Sequence, residues 1–261
     1  MDFGLKGKTA LVLGGGGGLG RAIAKSLAGE GANVAVAGFG ADSIDATLAE
    51  LKEVAGKTLG LIWDLADLSL IDANITKIES ELGTVDILVN NTGGPPATAA
   101  TGVDLALWAK QFQAMVLSVI AITDRVLPGM KTRGWGRILT STSSGVISPI
   151  PNLAISNALR LSLVGWSKTL AREVGKDGIT ANIVVPGRIA TARVAALDNG
   201  KARREGRSVE EVAAESQGTI PIGRYGKPEE YADVVAFLAS ERAAYITGSL
   251  VRVDGGMIPS I

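Results

Sequence analysis

Three places in the sequence carry residue types whose spacing could support chemistry. The first is LGGGGGLGRAIA, with glycines at 14 through 18 and again at 20, directly after an aliphatic run. Glycine is costly to order, so five in succession at a strand-to-helix turn need a reason. A backbone that passes close to a pyrophosphate, followed by a helix whose N-terminus faces the negative charge, supplies one. A GxGxxG pattern alone is weak evidence, but here it follows the first strand and opens a helix. The second place is a serine-rich strand end, ILTSTSSG, followed by NLAISNALR, which sets Ser156 and Arg160 four residues apart. The third is PGRIATAR, which brings Arg188 and Arg193 to the start of a polar segment. There is no histidine and no cysteine. The commonest general base and all thiolate chemistry are therefore absent, and no metal site is expected.

These residues need elements to position them. Seven short aliphatic or β-branched runs read as strands: TALVL (9–13), NVAVA (33–37), TLGLIW (58–63), DILVN (86–90), RILTST (137–142), TANIVV (180–185) and SLVRV (249–253). Amphipathic stretches at 19–31, 42–54, 69–82, 104–130, after Ala154 and at 228–240 lie between them. Such alternation predicts right-handed βαβ crossovers and a mostly parallel sheet covered on both faces. No repeat or composition break marks a second domain, so residues 1–261 are expected to form one α/β domain. Residues 190–220 are polar and carry both charges, which suggests a mobile lid.

The bulk composition narrows the function classes. The chain has 261 residues, 46% of them hydrophobic and 20% charged, enough for a sizeable core. Lys+Arg and Asp+Glu balance at 26 each, so no basic field points to nucleic acid or an anionic membrane. The start, MDFGLKGKTALVLG, is neither a signal peptide nor a span, and no later segment reaches 18 apolar residues without a charge. A cytoplasmic protein acting on a small molecule is expected.

Several motifs occur in an order that matches one family. LGGGGGLG at 13–20, Asp64 after the third strand, NNTG at 90–93, a serine after the fifth strand, PG at 186–187 and YITGSLVRVDGG at 245–256 together resemble the short-chain dehydrogenases/reductases over essentially the whole chain. The resemblance implies a three-layer, doubly wound Rossmann fold with a seven-stranded sheet, a bound NAD(H) or NADP(H), and often a homotetramer. It places the pyrophosphate turn at Gly14, Gly16, Gly17, Gly18, Leu19 and Gly20, and the adenosine near Gly38, Phe39, Asp64, Leu65, Asn91, Thr92 and Gly93. Pro186, Gly187, Ile189 and Thr191 would hold the nicotinamide amide. At Gly38 and Phe39 the chain has neither the acidic residue of NAD-using members nor the arginine of NADP-using ones. Gly38 leaves room for a 2′-phosphate, which favours NADP(H) slightly.

The resemblance also locates a reaction centre. Family members reduce a carbonyl with a serine, a tyrosine, a lysine and an asparagine. Here Ser143 keeps the serine, while Ser156 stands at the tyrosine position, Arg160 at the lysine position and Met115 at the asparagine position. Tyrosine ionises near 10 and can be brought towards neutrality, whereas a serine hydroxyl lies several units higher and arginine stays protonated. Ser156 therefore cannot replace the acid directly. Arg160 can still hold the nicotinamide ribose, and Arg160, Arg188 and Arg193 could orient an anionic substrate beside Ser143. Halohydrin dehalogenases, which resemble the family and have arginine at the lysine position, offer a cofactor-independent lyase as an alternative. They keep the tyrosine and fill the glycine loop, and this chain does neither. A catalytically inactive nucleotide-binding relative is the third reading. Helix 104–130 and the helix after Ala154 are apolar on more than one face, and in the family the equivalent helices pack against a partner subunit, so the resemblance implies a homotetramer, with a dimer next.

Overall fold

Each aliphatic run forms a strand within a residue or two of its predicted limits. In the computed structural model, which describes residues 2–52, 54 and 56–261, the strands are β1 (Thr9–Leu13), β2 (Asn33–Gly38), β3 (Thr58–Ile62), β4 (Ile87–Asn90), β5 (Gly136–Ser141), β6 (Ile179–Pro186) and β7 (Leu250–Val253). They form one sheet in the order β3-β2-β1-β4-β5-β6-β7, and every pairing is parallel. All residues of β1, β4 and β5 are buried, which explains why they read as unbroken apolar runs rather than alternating ones.

Helices cover both faces, as expected of a doubly wound sheet. Helices α1 (Gly18–Gly29), α2 (Ala41–Leu51) and α9 (Pro228–Ala239) close one core with Val12, Val36 and Leu139. On the opposite face α3 (Ile71–Glu81), α5 (Ser118–Arg133) and α6 (Ala154–Val174) pack on Leu11, Leu88 and Ile138. The strand order reverses between β1 and β4, and the crevice above their carboxyl ends is where doubly wound folds bind ligands.

Two segments differ from expectation. The predicted single helix at 104–130 is α4 (Leu105–Phe112) joined to α5 by a five-residue π-helical turn, Gln113–Leu117. That turn widens the helix at Met115, and the Ser118 hydroxyl takes up the Ala114 carbonyl at 2.7 Å. By length and composition alone Leu105–Arg133 could cross a membrane, since its most apolar 18-residue stretch has a mean hydropathy of 1.6. The segment at 190–220 is not an irregular loop but two capped helices, α7 (Ala192–Glu205) and α8 (Val209–Gly218). Thr191 caps the first, and a reciprocal Ser208–Glu211 capping box starts the second.

Candidate active site

The glycine turn leaves β1 at Gly14, whose φ of +61° is left-handed. A β-carbon at Gly14 would lie 2.3 Å from the Asn91 carbonyl oxygen, and one at Gly20 would lie 2.1 Å from the Gly14 carbonyl oxygen. No side chain fits at either point. The turn's carbonyls are engaged from behind: Thr47 donates to Gly15 O at 3.1 Å, and Arg21 donates to Gly16 O at 2.9 Å. Gly17 caps α1 without a side chain, and a β-carbon there would meet nothing. Free N–H groups at the start of α1 therefore face an open cradle, and Leu19 is half-buried just inside it. This geometry fits a pyrophosphate.

Around the cradle stand the other residues of the proposed cofactor groove. Asn91 donates through Nδ2 to Leu13 O at 3.3 Å, tying the β4 end to the β1 end. Thr92 is buried, while Gly93 borders open space. Asp64 is exposed, with Oδ1 accepting the Ala66 N–H at 2.9 Å, and Leu65 lies half-buried beside it. Phe39 is 79% exposed at the end of β2. Gly38 offers less room than expected, because a β-carbon there would sit 3.0 Å from Ile44 Cδ1. Its missing side chain thus serves the packing of α2 as well as any ligand. Past β6, Pro186 is half-buried and Gly187 presses on Asp254, 2.6 Å from its Cα to a built β-carbon. Ile189 is buried against the α9 side of the sheet, so it can offer a ligand only its backbone. Thr191 touches the glycine turn, its Cγ2 3.4 Å from a β-carbon built on Gly18.

Ser143 follows β5, and Ser156 and Arg160 lie in the first two turns of α6. The Ser143 hydroxyl accepts the Gly145 N–H at 3.1 Å. Asn157 clamps both backbone groups of Ile150, at 3.3 and 2.9 Å. A β-carbon on Gly145 would fall 2.3 Å from Asn157 Oδ1 and 3.4 Å from Ser143 Oγ. The serine loop and the first turn of α6 are thereby pressed together. Ser156 is 6% exposed and Arg160 7%. Arg160 donates to the carbonyls of Ser141 (3.2 Å), Thr92 (3.2 Å) and Gly93 (3.1 Å). Burial, opposed by the neighbouring Tyr231 and reinforced by Arg193, pushes its guanidinium down to about 10. Met115, two turns along its own helix from Trp108, is buried in the π turn.

The two arginines after the PG motif diverge. Arg193 reaches over the cleft and donates to Pro95 O at 2.8 Å. Arg188 points towards α7, where it donates to Asp198 at 2.7 Å. The hydroxyl of Tyr225 donates to the other oxygen of that carboxylate, also at 2.8 Å. Arg188 is therefore paired with a carboxylate of the chain, a partner that its place after the PG motif did not announce.

The comparisons with known proteins agree with this geometry. A family model described as enoyl-(acyl carrier protein) reductase matches residues 15–258. The chain belongs to the short-chain dehydrogenase/reductase family. The 3-oxoacyl-(acyl-carrier-protein) reductase of Escherichia coli (strain K12) is 38% identical over 98% of this chain and 99% of its own. The 3alpha-hydroxysteroid dehydrogenase of Mediterraneibacter gnavus is 36% identical over 96% and 97%. Among solved structures, the L-sorbose reductase from Gluconobacter frateurii, complexed with NADPH and L-sorbose, superposes with a TM-score of 0.94 at 32% identity, covering both chains fully. Membership makes this chain a relative of NAD(P)-dependent oxidoreductases. As a short-chain dehydrogenase/reductase it also contains partners that sequence reading missed. Asn157 is adjacent to Ser156 yet carries no motif, and Tyr231 is fully buried with its hydroxyl donating to Ser141 Oγ at 2.8 Å. Only the asparagine, one place from a candidate site residue, left any trace in the sequence.

Proposed function

We propose that this protein is an NAD(P)-dependent oxidoreductase that interconverts a small carbonyl compound and its alcohol, with Ser143, Ser156 and Arg160 in place of the family's serine, tyrosine and lysine. The observation that carries this reading is the glycine cradle, in which Gly14 and Gly20 admit no side chain while Gly17 and Gly93 face open space. A nicotinamide cofactor, when bound, supplies or accepts the hydride. Gly14, Gly16, Gly17, Gly18, Leu19 and Gly20 would hold its pyrophosphate, and Thr191 would close on it from the lid. Arg160, buried and charged near neutral pH, would hold ribose hydroxyls and orient the reacting groups without itself passing a proton. Ser143 and Ser156 would donate hydrogen bonds to the substrate oxygen as charge develops on it. Water admitted beside Ser156 would deliver the proton. NADP(H) is favoured over NAD(H), since no carboxylate stands at Gly38 or Phe39 to repel a 2′-phosphate.

The relatives act, by name, on an acyl carrier protein thioester, a steroid and a sugar, so the fold leaves the substrate open. We infer a cytoplasmic homotetramer, with a dimer as the smaller possibility. Leu105, Phe112, Leu117 and Leu161 expose apolar surface along adjoining helices, and Leu250 does so on the edge strand β7. A solution mass of one chain would remove that inference.

The test is a titration with NADPH and, separately, NADH, followed by energy transfer from tryptophan to nicotinamide. Micromolar binding of either is expected, with NADPH the tighter. No binding up to millimolar concentrations would leave a cofactor-independent lyase or an inactive relative.

A further inference from the structure

Arg160 and Arg193 share one environment and lack the carboxylate partner that several other arginines in the chain have. Arg21, Arg125, Arg133, Arg188, Arg207 and Arg224 each pair with a carboxylate. Among the described residues no carboxylate lies within ion-pair distance of Arg160 or Arg193. Arg160 is inside the protein, and its hydrogen bonds all go to backbone carbonyls. Arg193 is accessible at the mouth of the cleft, with its guanidinium laid against Gly94: a β-carbon there would lie 3.0 Å from Cζ, Nε and Nη2. The two charges are close enough that Arg193 opposes protonation of Arg160. A buried cation with no counterion is costly, and a second one beside it adds to the cost. The cleft is built to receive negative charge.

The cofactor's pyrophosphate does not account for Arg193. Thr191, the residue that caps α7, is the one that touches Gly18 of the glycine turn. Arg193 lies two places further along, and residues two apart on a helix do not face the same way. It accordingly points to the loop after β4, at Gly94 and Pro95, beyond the stretch where Asn91 and Thr92 border the ribose side of the groove. Of the five N–H donors of a guanidinium, Arg193 uses one within the chain. The others form a planar fork suited to a two-oxygen anion.

We propose that the substrate of this enzyme carries a carboxylate and that Arg193 is the side chain that binds it. The assignment rests on the oxidoreductase reading, with Arg160 supplying the buried positive field and Arg193 the direct contact. Arg188 takes no part, being held by Asp198.

The experiment compares acids with their neutral esters in the NADPH-loaded protein. The probes are acetoacetate and methyl acetoacetate, and pyruvate and methyl pyruvate, with NADPH oxidation as readout and calorimetric binding to the NADPH complex as a second. The expected result is kcat/KM or affinity higher for an acid than for its ester by at least about tenfold, the scale of one charged hydrogen bond. Arg193→Met should erase that preference and leave NADPH affinity unchanged, while Arg193→Lys keeps part of it. Equal handling of acid and ester, or a preference that survives Arg193→Met, overturns the assignment and leaves NADPH binding intact. So does failure of all four compounds to bind a protein that binds NADPH. Loss of NADPH affinity in Arg193→Met would give the arginine to the cofactor's phosphates and overturn it equally. Failure to bind NADPH at all is a separate outcome, which removes the oxidoreductase reading itself.

Discussion

Arg160 of α6 and Arg193 of α7 hold the same short peptide from two sides. Arg160 Nη2 lies 3.1 Å from Gly93 O, and Arg193 Nη2 lies 2.8 Å from Pro95 O. The loop after β4 is thus fixed between a buried cation from α6 and an accessible one from α7. Its position bears on both halves of the proposed reaction, since Asn91 ties the start of this loop to the glycine turn.

The glycine turn makes opposite predictions at neighbouring positions. Gly14→Ala must place a β-carbon against Asn91 O from a left-handed backbone, and is expected to cost about 2–4 kcal/mol of stability. Gly17→Ala meets nothing in the protein, so its melting temperature should stay near wild type while NADPH affinity falls. Thermal melts and NADPH titrations on the two variants check this. Equal destabilisation by both would show that the turn is not shaped for a ligand.

Restoring a phenol should speed reduction. Ser156→Tyr combined with Arg160→Lys supplies an acid whose pKa can be tuned and a lysine to tune it, for a gain of about 10–100-fold in kcat on any carbonyl the wild type reduces. Ser156→Tyr alone should gain less, since Arg160 keeps its proton throughout the neutral range. Single-turnover rates of the three proteins decide the matter, and an unchanged double variant would argue that Ser156 is not at the proton-transfer position.

Asn157 should matter through position rather than contact. Asn157→Ala releases both hydrogen bonds to Ile150 and opens space beside Gly145, at a cost of about 1–2 kcal/mol. The serine loop would then drift from α6. We expect lowered kcat with NADPH affinity preserved, and Asn157→Asp should recover less than half the activity because it cannot donate to Ile150 O. Loss of NADPH binding instead would place Asn157 in the cofactor groove.

A pH dependence follows from Arg160. Its folded-state pKa is pushed down to about 10 from 12.5, so the group keeps its proton throughout the neutral range and loses it in the folded protein before the unfolded chain does. Burial of the cation therefore lowers stability at neutral pH, and that penalty is relieved as pH rises through about 10. NADPH affinity should change in the other sense, flat from pH 6 to pH 9 and weaker beyond about 10 as the charge disappears. Titrations across that range, with Arg160→Met as the reference, test the sign. A wild-type profile parallel to that of Arg160→Met would remove Arg160 from the cofactor site.

The sheet was legible because parallel strands are buried on both faces and leave uninterrupted runs such as TALVL and DILVN. The glycine turn was legible because Gly14 and Gly20 admit no other residue. The π turn at Met115 was not, since one wider turn leaves no mark in an apolar helix. Nor were the helices at 192–218, whose charges resemble those of a loop until they are paired: Lys201 and Arg207 on one side meet Glu215 on the other. The ion pair of Arg188 went unread for a related reason. Its partner Asp198 is ten residues away in a polar run, and nothing in the sequence says that this carboxylate turns inward.

The guanidinium of Arg160 also bears on how long the protein survives. A chain with an unanswered charge in its interior is less stable empty than loaded, and anything that binds only the folded form lowers the fraction that opens. Proteolysis draws on that open fraction. Supply of cofactor and substrate would then bear on the turnover of this protein as well as on its rate.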